Sequence, residues 1–523
     1  MGLLGWRTLD KLTPATMKAL AGFVLILATL FLTWLDALEP KAHAAGGVPL
    51  WTNSYGQLAT AVAVVVDRAG NALVTGSDYS AMFADYVTIK YSSAGLPLWT
   101  NRYGGPGSFD DQPKALAVDD SGNVFVTGTS GILGEPGDYL TVAYSNDGAP
   151  LWANRYNGTG NNRDFSRAIA VDSSGNVFVT GSSVTIASTD YATIAYSKSG
   201  VPLWTNLYNG PGNDSDAALA VAVDGSGKVF VTGGSMPDAN SREYATVAYS
   251  STGVRLWVNH YDGPVNGLDD GRAIALDKTG NVFVTGNSAG SGTTNDFATI
   301  AYSNSGAVLW TNRYNGPGNG GDIGNAIAVD SKGNVFVTGS STGTGSGFDY
   351  ATIAYSNAGV PLWTNRYNGP GNGDDIPFAL ALDSEGNVFV TGSSAGTGTD
   401  YDYATVAYSN AGLPLWTNRY THSTNGNRFV SLAVDLAGNV FVTGGTSSGS
   451  TGSYVTIKYS SSMRPYLNLQ RAENQIILSW TNSAFTLQSA PSITGVFTNV
   501  PSATSAWTNV TSSSQQFFRL SNP

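Results

Sequence analysis

The sequence contains no cysteine. That excludes disulfides, thiolate nucleophiles and cysteine-ligated metals together. An exported chain without disulfides has to be held by packing, and 523 residues in a repeat array can supply a large core. Charge is also scarce, at 12% of residues, and its balance is negative, −11 with a pI of about 4.7. No basic surface is available to neutralise phosphates, so nucleic acid is not an expected partner. The composition that long helices want, rich in Ala, Leu, Glu and Lys together, is missing after the first 45 residues. What fills their place is Gly, Thr, Val, Tyr and Trp, the vocabulary of short strands and tight turns.

The N-terminus reads as a targeting segment. Arg7, Lys11 and Lys18 precede an uncharged run of 17 residues from Ala19 to Leu35, followed by Ala42-His43-Ala44, a small-x-small cleavage site. Residues 1–44 are therefore expected to be a signal peptide. The alternative is an uncleaved anchor, the only expected route to a membrane, since a spanning helix wants about 20 apolar residues. Either way the chain is expected to be secreted or held in the cell envelope.

One stretch is written repeatedly. "SGNVFVTG" begins at Ser121 and again at Ser174, and returns as "TGNVFVTG" at Thr279 and "KGNVFVTG" at Lys332. Tryptophan gives the period: Trp51, Trp99, Trp152, Trp204, Trp257, Trp310, Trp363 and Trp416 are spaced by 48, 53, 52, 53, 53, 53 and 53 residues. Each period holds four short strand-like runs, such as "NAIAVD", "NVFVTG", "DYATIAYS" and "VPLWTNRY". "DYATIAYS" alternates, with Ala351, Ile353 and Tyr355 on an apolar side. "NVFVTG" is more uniformly apolar, as expected of a strand covered on both faces. An Asp opens the turn between the first two runs in all eight copies: Asp67, Asp119, Asp172, Asp224, Asp277, Asp330, Asp383 and Asp435. With Gly at the fourth position this suits a type I turn.

A four-stranded antiparallel meander at this period is a propeller blade. The first run of the mature chain, Val48 to Tyr55, is a fourth strand without a blade, and the last set, ending at Tyr454–Ser460, lacks a fourth strand. Pairing the two removes two exposed edges. The expected fold is all-β: an eight-bladed β-propeller over 47–461, closed by the N-terminal strand pairing with the last blade. Trp is expected to pack between blades.

The pattern "AVDxxGNVFVTG…DYxTxxYSxxGxxLW" resembles the bacterial SBBP beta-propeller repeat, over about Gly47 to Ser461. The family's name implies seven blades, where the strand count here gives eight. The resemblance implies a propeller in an exported setting and no particular chemistry. From Arg464 the period breaks, and residues 464–523 resemble the small Ig-like or fibronectin-like module of secreted bacterial proteins, a β-sandwich-like unit with Trp480, Phe485 and Phe518 as its core.

In this strand order the two longer, Gly- and Asn-rich connections share one face, where a propeller presents its site. Two rows of carboxylates fall there. One lies twelve residues after the Trp in six blades: Asp111, Asp164, Asp216, Asp269, Asp322 and Asp375. The other opens the third strand: Asp85, Asp138, Asp190, Glu243, Asp296, Asp349 and Asp402. Oxygen ligands on Gly-rich loops suit calcium, the one cofactor the sequence suggests. A local role explains a repeated residue more simply, each Asp capping a loop or a strand start through backbone amides. Arg102, Arg155, Arg313, Arg366 and Arg419 recur beside the Trp strand, either to pair with these rows or to lie along aromatic faces, in both cases a structural role. Symmetry breaks at "THSTNGNR", where His422 and Arg428 stand in place of the Asp and mark a candidate ligand-binding sector. His260 replaces the recurrent Arg in its blade.

These features point to a non-catalytic binding or scaffold protein that engages a polymeric glycan or a protein at the cell surface through repeated shallow sites. Two enzyme classes compete. "YSNAGVPLW" (Tyr355 to Trp363) is similar to the docking motif of quinoprotein dehydrogenases, yet their adjacent-cysteine disulfide is missing here. A polysaccharide lyase or glycosidase needs an asymmetric set of catalytic groups, and none is written only once.

Overall fold

The computed structural model describes residues 46–521, apart from 57, 106–108, 133–134, 239–240, 399–400, 422–429, 449–450, 461–467, 473–474, 480–485, 493, 501–502, 504–506 and 511–515. Every regular element among the described residues is a strand. Thirty-two strands form eight four-stranded antiparallel sheets. The first sheet runs Ala59–Val66, Ala72–Asp78, Asp85–Tyr91, Pro97–Tyr103, and the next six repeat this order along the chain. The eighth takes Val430–Val434, Val440–Ser448 and Thr451–Tyr459 from the end of the array and Pro49–Tyr55 from its start. Trp51 lies opposite Lys458 and Tyr55 opposite Tyr454. No described helix is long and apolar enough to cross a membrane.

The second strand is buried end to end because it lies between neighbouring sheets. Val335, Phe336 and Val337 are each 1% exposed or less. Each core cluster of the array is shared by two adjacent sheets: Phe283 and Phe297 of the fifth pack with Val335, Val337 and Ile353 of the sixth. Ala61, Val74 and Val87 of the first pack with Phe441 and Tyr454 of the eighth. At about 1.5–3 kcal/mol per buried Val or Phe, this inter-sheet packing is the main stabilising term.

The third strand differs from its alternating sequence pattern: both of its faces are buried. Thr352, on the expected polar side, is 0% exposed and its hydroxyl pairs with that of Thr338 at 3.1 Å. Threonine supplies a methyl for packing and a hydroxyl that finds its partner across the strand. Alternating burial belongs instead to the outermost, Trp-bearing strand, as in Pro361–Tyr367.

The glycine ending "NVFVTG" has a steric cause. A Cβ at Gly339 would lie 2.0 Å from the Ile323 carbonyl. This close approach accompanies a register shift in the first strand, where one extra residue bulges between Gly324 and Ala326. The same bulge recurs in the first strands of the first seven sheets.

In the tail, Asn468–Ala472, Gln475–Ser479 and Trp507–Val510 form one three-stranded sheet. Thr498–Asn499, Thr486–Ala490 and Phe517–Ser521 form another. Leu478 and Leu487 are its buried pair, with Trp507 and Phe518 packed against them. Phe518 thus takes the core role expected of it, whereas Trp480 and Phe485 lie outside the described residues.

Candidate functional site

The turn aspartates are consumed locally. Asp330 Oδ1 accepts the amides of Lys332 and Asn334, both at 2.8 Å, and Oδ2 accepts Asn334 Nδ2 at 2.8 Å. Gly333 closes the turn at φ +84°, a left-handed geometry that glycine adopts without strain. The tryptophans are inter-sheet wedges. Trp310 lies 5.9 Å from Phe283 of its own sheet and 5.8 Å from Tyr355 of the next, and its indole N–H donates to Asn357 O at 3.0 Å.

On the opposite, long-loop side, each carboxylate of the first row is fully buried. Asp322 Oδ2 accepts the Gly316 amide at 2.7 Å and Oδ1 the Thr342 amide at 3.2 Å, tying two loops of one sheet together. Asp375 does the same with Gly369 and Ala395, Asp269 with Gly263 and Ala289, and Asp216 with Gly210 and Met236. Asp111 and Asp164 also accept from a glycine amide, but in each Oδ1 is buried without a hydrogen bond of good geometry. Burial raises all six above the usual Asp value, and serine hydroxyls such as Ser341 and loop amides temper the rise. The six are held one to a sheet, and among the described residues no three His, Asp or Glu side chains converge as a metal cluster.

The second row meets the arginines. Arg366 pairs with Asp349 at 2.8 Å, Arg313 with Asp296 at 2.9 Å, Arg155 with Asp138 at 3.0 Å, and Arg419 with Asp402 and Arg102 with Asp85 at 2.6 Å each. Arg366 also donates to the Ser341 hydroxyl at 2.5 Å and to the phenol of Tyr314, on the preceding sheet, at 3.2 Å. Each such arginine therefore joins strands within its sheet, and several reach the sheet before. In the fourth sheet both members change together: His260 Nδ1 lies 3.3 Å from Glu243, and Nε2 lies 2.8 Å from Tyr208 Oη. In the first sheet a second carboxylate joins Asp85. Asp78 occupies the serine position of the second strand and meets Arg102 at 3.2 Å. His422 and Arg428 lie outside the described residues.

Sequence reasoning missed the bulge row. The residue three positions after each Asp of the first row is the one the bulge expels from the ladder: Lys114, Arg167, Leu219, Arg272, Asn325 and Phe378. Its signal was available as strong variation at one position of a nearly constant repeat.

Comparison with curated proteins gives no match. Among solved structures the chain is similar to Chaetomium thermophilum Sqt1 at 10% identity and a TM-score of 0.52, covering 80% of this chain and 99% of that one. It is similar to the same protein bound to the N-terminus of the ribosomal protein L10 at 10% identity and a TM-score of 0.51, covering 78% and 100%. A third similar structure is the Pseudomonas aeruginosa periplasmic gluconolactonase PpgL, at 14% identity and a TM-score of 0.43, over 69% of this chain and 95% of that one. At these identities the likeness speaks for fold alone. Residues 98–134, 155–183, 310–345 and 362–398 match the SBBP beta-propeller repeat, within a chain whose described regular elements are all strands.

Proposed function

We infer that the eight sheets are blades of one closed ring and that the ring is an exported, non-catalytic binding protein for a polymeric or surface-displayed ligand. Support for closure comes from the pairing of 49–55 with 454–459 and from the contact between the first strands of the first and eighth sheets. Residues 1–44, which lie outside the described residues, serve in this reading as the export signal, and the tail is an Ig- or fibronectin-like attachment unit. The observation that carries the binding role is the consumption of the repeated polar groups. Turn Asp, loop Asp, Arg and second-row Asp all hold strands and loops to one another, leaving similar loops around one face as the presentable surface. Similar loops make similar weak sites, and useful affinity then comes from engaging several at once. A protein stays beside glycan as the ligand class, because a chain sharing this fold, Sqt1, was solved with a protein segment bound.

A glycan array probed with the full-length protein tests this reading. Binding should strengthen steeply with oligosaccharide length. Affinity independent of length, or turnover of a bound polymer, would overturn it.

A further inference from the structure

The long-loop side carries one cleft unlike its neighbours, of about 550 Å³, where the first three sheets meet. Its apolar wall is Phe83 and Phe109, stacked at 5.2 Å with ring planes 27° apart, together with Phe165. Its polar wall is Lys114, Arg163 and Arg167, all exposed. The bulges of the second and third sheets push Lys114 and Arg167 out of their ladders toward the same space. None of the three cations makes an ion pair with a described residue. The one acid among the described lining residues, Asp110, accepts the Ala84 amide at 2.9 Å. Among the described lining residues three cations face one carboxylate, on a chain whose net charge is −11. Thr129, also in the lining, holds a buried hydroxyl oxygen without a partner. Lys114 is held below the ordinary lysine value by desolvation and by Arg167 beside it, as expected where cations are crowded with no anion between them.

The equivalent places elsewhere are not built this way. Phe109 corresponds by repeat position to Gly267, Gly320 and Gly373, and Lys114 to Leu219, Asn325 and Phe378. Arg272, the remaining cation of the bulge row, is already held by Asn287 at 2.9 Å. Gly131 permits the aromatic wall, since a Cβ there would lie 2.8 Å from Phe109 Cβ.

We propose that this cleft is the anchoring site for an acidic sugar unit, a ring bearing a carboxylate or sulfate, within the polymer the long-loop side engages. Guanidinium and ammonium groups give charge-assisted hydrogen bonds to the anionic substituent. The phenyl faces are electron-rich and pack against the C–H face of a pyranose, as they pack against positive ring edges. Together the two walls select a rigid ring with an apolar face and a charged edge over a flexible acidic chain. The proposal rests on the binding role above and adds ligand chemistry and an address to it.

The test is calorimetric titration of full-length protein with trigalacturonic acid, with a sulfated trisaccharide, with an uncharged trisaccharide and with poly-glutamate. The two acidic trisaccharides report whether carboxylate or sulfate is preferred, and binding of either supports the site. The uncharged trisaccharide should bind at least about tenfold more weakly, the loss expected from one or more charge-assisted hydrogen bonds. Lys114→Gln with Arg167→Gln, both exposed and unpaired, should abolish the difference while leaving the melting temperature unchanged. Phe165→Ala should weaken acidic and uncharged sugars alike. Equal binding of acidic and uncharged sugars, undiminished binding by the double variant, or poly-glutamate binding as well as the sugar would each overturn the proposal. If uncharged polymers bind with length dependence while acidic trisaccharides do not bind, the acidic site fails and the general binding role stands. If acidic trisaccharides bind but length adds nothing, the reverse holds.

Discussion

The first and eighth sheets are set apart from the six between them by a buried lysine. Their third strands read "YVTIKYS", with Lys90 and Lys458 where the others place alanine. Lys90, 2% exposed, pairs with Asp67 at 2.9 Å, and Lys458, 5% exposed, pairs with Asp435 at 3.4 Å. Lys458 also crosses the junction, donating to Ser93 O of the first sheet at 3.1 Å. The six inner sheets have no such pair and carry the buried loop Asp instead. Buried ion pairs contribute little net stability against an apolar replacement. Both pairs lie within one sheet, so what distinguishes the junction is the reach of Lys458 to the Ser93 carbonyl of the first sheet. Eight near-identical repeats could pair out of order, and a contact made by the eighth sheet to the first favours their apposition.

Removing the N-terminal strand should break this comparison most severely. Deleting residues 1–55 bares the edge of Thr451–Tyr459, and the chain is expected to oligomerise through it. Sedimentation should show this, while a chain ending at Ser460 should sediment as the parent does. Next in size, Lys90→Ala should cost about 2 kcal/mol in urea unfolding by removing one charge-assisted bond from Asp67, which keeps those from Ala69 and Asn71. Ala354→Gly, at the corresponding inner position, should cost about 1 kcal/mol.

The two structural Asp rows should separate by pH. Burial pushes Asp277 up, but hydrogen bonds from Thr279 and Asn281 outweigh it and hold the carboxyl below its ordinary value of 3.8. Its stabilisation is present above that value and is lost as pH falls through the lower folded one. Asp322 is raised by burial, so its relative contribution is full below 3.8 and declines as pH rises through the folded value. Melting curves of Asp277→Asn should therefore fall furthest short of the parent at neutral pH. For Asp322→Asn the gap should narrow as pH rises from about 3 to 7. The smallest effect concerns calcium. With four of the six first-row carboxylates doubly engaged by amides, millimolar calcium or EDTA should leave the melting temperature unchanged. A rise with calcium that Asp111→Asn and Asp164→Asn remove would assign ion binding to their unpartnered oxygens.

Much of this was legible in the sequence because a repeat states its local needs eight times. The Trp spacing, the turn Asp and the Arg beside the Trp strand all had partners inside the period or one period away. The mixed face of "DYATIAYS" misled, because threonine is read as polar yet buries well when another threonine lies opposite. The cleft at Phe109 and Arg167 was hidden for a different reason. It joins residues from three sheets around a bulge, and a bulge adds one residue to a strand without altering its composition. The roles of Lys90 and Lys458 needed knowledge of which turn Asp folds beneath each.

Joining of the chain's two ends into one sheet is tested most directly by a cross-strand disulfide, and the absence of native cysteine makes that test clean. Ser54 lies opposite Val455, and directly opposed antiparallel residues sit about 4.5–5.5 Å apart at Cα, within disulfide reach. Ser54→Cys with Val455→Cys should oxidise to an intramolecular bond in the native monomer, seen as a mobility shift on non-reducing gels. Ser54→Cys with Ala245→Cys, the equivalent position of the fourth sheet, should not. A closed ring requires the first result, and an unbridged 54–455 pair in folded monomer would contradict it.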